Sequence, residues 1–168
     1  MLRVSRWLLL ILNTGNWLFF AGAVVLLALL ATGTAPFATH VIMRDAYPGY
    51  EHALLRAVEG LVAIGIAVVF AVDILFRRLL AILATLDAGD PFQLANAARL
   101  HHIAWALLAI QLLDLCFGAL ALHIGSIAHK PIPWSFGLTG WLAVLLLFIL
   151  ARVFRQGAEM RDEIEGTV

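Results

Sequence analysis

Asp114 carries the most chemical potential in this chain, a carboxyl set in the middle of an apolar run. Gln111, three residues earlier, shares its helical face, and the stripe continues through Leu107, Gly118 and Leu122. In the first apolar run Asn13 and Asn16 share a face, and depth counted from the ends of the runs leaves Asn16 within about one helical turn of Asp114. An Asn16–Gln111–Asp114 hydrogen-bonded cluster is therefore expected. It has two readings. A carboxyl near the midplane of a bilayer is a candidate proton or ion relay, and the same three side chains also serve as polar glue between helices. Glue is the plainer account, because a relay needs a chain of ionisable groups and the last apolar run has none between residues 137 and 151.

Histidines offer a second chemistry. His40, His52, His123 and His129 all fall near one set of run ends, and imidazole ligates both metals and membrane-bound haem. No His-x-x-x-His pair accompanies them, so solvated interfacial histidines suffice and neither a metal nor a cofactor is expected. His101 and His102 are adjacent and point to different faces. The single cysteine, Cys116, excludes an intrachain disulfide and a cysteine-based zinc site. With no nucleophile beside a base, no metal cluster and no paired carboxylates in one accessible place, no catalytic residue is assigned.

The elements that must position these residues are four apolar runs, at 7–31, 54–76, 103–125 and 136–154. Each is close to or beyond the roughly 20 residues that cross about 30 Å of hydrocarbon as a helix. A composition of 63% hydrophobic and 13% charged residues, with a mean hydropathy of +0.98, excludes a water-soluble domain of this size. Equal numbers of basic and acidic residues, 11 each, give no reason to expect direct nucleic-acid binding. The expected fold is all-α, an integral membrane four-helix bundle with helices at about 7–31, 54–86, 91–125 and 136–160. Residues 1–168 form one four-span domain in contact with the lipid bilayer, with homo-oligomerisation left open. The first run is too long for a secretory signal and reads as a retained span.

Basic residues set the orientation. Arg3, Arg6, Arg77, Arg78, Arg99, Arg152, Arg155 and Arg161 fall on one side, against Arg44, Arg56 and Lys130 on the other. The positive-inside rule puts both termini and the 77–101 connector in the cytoplasm of a bacterial inner membrane. Within the second run, Arg56 and Glu59 read as one interfacial ion pair and Asp73 and Arg77 as another. Ala63, Ala67 and Ala71 read as a smooth packing stripe. Tyr47, Tyr50 and Trp134 suit an interfacial aromatic belt.

Between the second and third runs the segment 86–96 specifies a tight corner. Gly89 suits a left-handed helix end, Asp90 an N-cap, Pro91 a first helical turn, and Gln93 the far side of a capping box. The second helix is expected to run past the lipid to about Leu86 before reversing. Gly89, Asp90, Pro91, Phe92 and Asn96, with Leu100 and Ile103 leading into the span, resemble the pattern of a bacterial family of small four-span membrane proteins of unknown function. The tail is similar to that family's closing pattern in Phe154, Gly157, Glu159, Met160, Thr167 and Val168. The resemblance covers about residues 55–168. Members of that family are often encoded beside a small helix-turn-helix regulator, and the resemblance implies such a cytoplasmic partner. The resulting expectation is a non-catalytic regulatory or sensory subunit. The alternatives are an oligomeric channel or ion-conducting subunit using Asp114, and a haem- or metal-binding protein using the four histidines.

Overall fold

The computed structural model describes residues 2–32, 49–87, 93–129 and 132–165. Among them every regular element is helical: α1 (Leu2–Ala31), α2 (Glu51–Asp87), α3 (Leu94–Ala128) and α4 (Leu138–Glu165). The chain is all-α, and four helices each long and apolar enough to cross a membrane are consistent with a four-helix membrane bundle. Helices suit that solvent because they satisfy their backbone N–H and C=O groups within the segment. Their outer surface agrees: Ile11 is 65% exposed, Leu18 70% and Leu146 64%, a disposition that water would penalise and acyl chains accept. This is a multi-pass membrane protein.

Helix length exceeds the bilayer requirement. With 37 residues in α2 and 35 in α3, a rise of about 1.5 Å each makes both more than about 50 Å long, roughly 20 Å beyond the hydrocarbon thickness. α2 ends at Asp87, close to the expected reversal at Leu86. α3 begins at Leu94, the expected start at 91 lying outside the described residues, and the carbonyl of Gln93 accepts from the N–H groups of Asn96 at 2.8 Å and Ala97 at 3.4 Å. Its other end closes at His129, whose φ of 50° is the left-handed conformation that commonly ends a helix. α1 starts at Leu2 and α4 continues to Glu165, further than the apolar runs, since Arg, Glu and Met favour helix as well as leucine does.

Packing divides the chain into two compact units, one of Met1–Asn16, Phe70–Gln111 and Gly137–Val168, the other of Trp17–Val69 and Leu112–Phe136. In the first, Leu100, Ile103 and Ala151 are buried among Leu75, Leu79, Ile82, Leu147 and Phe154, so α2, α3 and α4 share one core. In the second, Leu54, Ala57 and Ile124 are buried with Leu61, Leu120, Ile127 and Ile132 around them. The alanine stripe on α2 does not pack as a row: Ala63 is exposed, Ala67 half-buried and Ala71 buried. A four-residue repeat advances about 40° per step on a 3.6-residue helix, so it winds off any straight contact line. On α3, Ala97, Ala104 and Ala121 are fully buried.

Candidate functional site

The first unit holds two polar clusters. In one, Asp73, only 7% exposed, accepts a hydrogen bond from Asn13 Nδ2 at 3.1 Å on Oδ1 and pairs through Oδ2 with Arg77 Nε at 2.7 Å. The Asp73–Arg77 pair is the one its spacing predicts, and the Arg77 side chain remains 66% exposed while its charge reaches the buried carboxylate. Asn13 is the partner that sequence reasoning missed. A carboxylate offers only acceptors, so the amide must present its NH₂, and Asn13 Oδ1 is left buried with no hydrogen-bond partner among the described residues. No ion pair between Arg56 and Glu59 is present among the described residues. The base precedes the acid there at three-residue spacing, whereas an acid preceding its base by four, as in Asp73–Arg77, is the better orientation.

The second cluster clasps α2 to α3. Asn96 is 1% exposed, and its Nδ2 donates to Thr85 Oγ1 at 2.8 Å while its Oδ1 accepts from Arg99 Nη1 at 2.7 Å. Thr85 Oγ1 in turn donates to the carbonyl of Ile82 at 2.7 Å, and Arg99 Nη1 also donates to the carbonyl of Ala81 at 3.2 Å. One buried amide thus ties the last turns of α2 to the first turns of α3. Such a network specifies a single register, because any slip strands the Asn96 amide in an apolar contact.

Asn16 and Gln111 are half-buried in the first unit, where the Gln111 amide lies directly against Gly140 of α4, a position with no room for a Cβ. Asp114 is half-buried in the second unit. Phe154 belongs to the core of the first unit, and Gly157 and Glu159 are exposed on either side of the buried Ala158. Gly89, Asp90, Pro91, Phe92, Thr167, Val168 and His40 lie outside the described residues. His52, His123 and His129 are exposed, and among the described residues no three His, Cys, Asp or Glu side chains gather to hold a metal. In the second unit the Trp134 indole lies against Gly118, with Nε1 buried and unpartnered among the described residues, while Tyr47 lies outside the described residues.

Residues 40–168 match the model of a protein family of unknown function, DUF2975. The chain belongs to this family. The DUF2975 match begins further upstream than the corner and tail alone suggest, and it takes in the whole of α2, α3 and α4 with the Thr85–Asn96–Arg99 clasp. Asn13 falls outside the DUF2975 region, so the clasp, and not the Asn13–Asp73 contact, lies wholly within it. No curated protein and no solved structure is found to be similar to this DUF2975 chain.

Proposed function

We propose that the chain is a non-catalytic protein of the bacterial cytoplasmic membrane, with both termini inside, that acts through a cytoplasmic partner. The observation that carries this reading is the extension of three helices beyond their apolar runs, two of them, α2 and α3, clasped together there. α2 continues past Arg77 to Asp87, α3 begins nine residues ahead of Ile103, and α4 runs from Phe154 to Glu165, all within the first unit. All eight arginines assigned to the inner side belong to that unit. Membrane crossing does not require these extra turns.

A rigid helical platform suits protein recognition. The Asn96 clasp and the Leu79–Ile82–Leu100 core hold it, while Leu86, Leu94 and Met160 remain 39%, 47% and 64% exposed beyond the apolar runs. Apolar side chains left exposed beyond the lipid-crossing runs are available to a protein partner. A small helix-turn-helix regulator is the partner that the family resemblance suggests. The test is affinity purification from the native host in mild detergent, with proteins identified by mass spectrometry, using the full chain and a Met160→Glu/Leu94→Glu variant. A regulator recovered with the full chain and lost with the variant supports the proposal, whereas no partner with the full chain refutes it.

A further inference from the structure

A groove of about 350 Å³ lies between α3 and α4 in the first unit, lined by His101 and Phe148 together with Arg152, Arg155 and Glu159. One end is aromatic. The Phe148 ring stands edge-on to His101 and to Trp105, at 5.5 Å from each, and Trp105 Nε1 donates to His101 Nε2 at 3.0 Å. That bond leaves Nδ1 to carry the ring proton when His101 is neutral. Trp105 is 56% exposed, an amphipathic ring of the kind that settles at headgroup depth.

The other end is cationic. Arg152 and Arg155, three residues apart on one face of α4, are exposed where the fourth apolar run gives way to polar sequence. Among the described residues neither guanidinium is engaged in an ion pair or hydrogen bond, and Glu159 is likewise uncommitted. Two arginines against one carboxylate leave the groove net positive. Because Arg152 and Arg155 follow Phe148 toward the end of the fourth apolar run, the polar end of the groove lies nearer the headgroups than its aromatic end, an arrangement that suits an anion attached to an apolar chain.

We propose that this groove binds the phosphate of an anionic phospholipid, held by Arg152 and Arg155, with the glycerol and acyl chains passing over Phe148 and Trp105. Guanidinium forks match phosphate oxygens bidentately, and basic pockets between spans on the arginine-rich side are suited to such headgroups.

The experiment offers the full chain, in neutral detergent micelles, an equimolar mixture of phosphatidylglycerol and phosphatidylcholine and counts the retained lipid by native mass spectrometry. The full chain retains phosphatidylglycerol preferentially. Arg152→Gln/Arg155→Gln lowers that preference about 25-fold, at about fivefold per arginine near the surface, and Glu159→Gln raises it about fivefold by removing the opposing charge. Arg78→Gln, an exposed arginine outside the groove, leaves it unchanged. Equal retention of the two lipids, or an unchanged preference in the double variant, overturns the proposal. Displacement of the lipid by excess glycerol phosphate overturns it too, since the ligand would then be a soluble phosphate. If the double variant does not fold, the Glu159→Gln arm decides, and no gain there overturns the proposal.

Discussion

Removing the Asn96 side chain should loosen the hairpin formed by α2 and α3, by an amount that follows from its contacts. Asn96→Ala deletes the 2.8 Å bond to Thr85 and the 2.7 Å bond from Arg99. The first is worth about 1 kcal/mol and the charge-assisted second about 1.5 kcal/mol, the low end, because Arg99 keeps the Ala81 carbonyl. A void at a site that is 1% exposed adds about 0.5 kcal/mol, so the expected loss is about 3 kcal/mol. Thr85 contributes no stranded donor, since its hydroxyl already bonds to Ile82. The assay is unfolding in mixed micelles of rising dodecyl sulfate content, followed by helix content, with hydrogen exchange at 79–87 and 94–100 to localise the effect. Asn96→Asp is the discriminating control. It keeps the acceptor for Arg99 but sets an oxygen against the Thr85 oxygen, so it should cost about 1 kcal/mol, clearly less than Ala. Thr85→Ala combined with Asn96→Ala should return a coupling energy of about 1 kcal/mol. An unchanged midpoint for Asn96→Ala, or equal damage from Ala and Asp, would refute the clasp.

The other expectations concern close contacts and charge. Gly118→Ala drives a methyl group into the Trp134 ring, which has no flexible end to move aside, and should cost about 1–3 kcal/mol with a shift in tryptophan emission. Gly140→Ala meets the tip of a long glutamine instead, so Gln111 swings away and the expected cost is under about 1 kcal/mol; a larger loss there than at Gly118 would contradict this. Asp73→Asn keeps an acceptor for Asn13 and gives up only an ion pair whose arginine is mostly exposed, at under about 1 kcal/mol. Asp73→Ala leaves the Asn13 amide with no partner on Nδ2 beside its already unpartnered Oδ1, for about 2 kcal/mol. The same micelle titration measures both, and equal losses would mean that Asn13 is not held by Asp73.

How far each feature was legible depended on whether its cause lay within one helix. Asp73 and Arg77 are four residues apart on α2, so helical geometry alone made them neighbours. Arg99 and Asn96 share α3 in the same way, but Thr85 lies on α2 across the turn, and nothing in the chain between them marks it as the partner. Asn13 and Asp73 are sixty residues apart, and their contact requires the rotation of α1 about its axis to be known. Such rotations are hard to read in a membrane protein, since helices that are apolar on nearly every side carry little amphipathic signal to say which face turns inward. The Ala63–Ala67–Ala71 stripe illustrates the difficulty, as a pattern that winds off the contact line.

By itself the sequence determined that this chain is an all-helical, four-span membrane protein whose second helix is longer than a span requires, because length and hydropathy act locally and the bilayer admits few alternatives. It also marked Asn96 as a residue of the corner. Only the tertiary structure decided that Asn96 is the buried tie between α2 and α3, that Asp73 holds Asn13, and that Trp134 rests on Gly118. Those pairings join different segments of chain, and packing and hydrogen-bond satisfaction between helices select them, which no count along a single helix can supply.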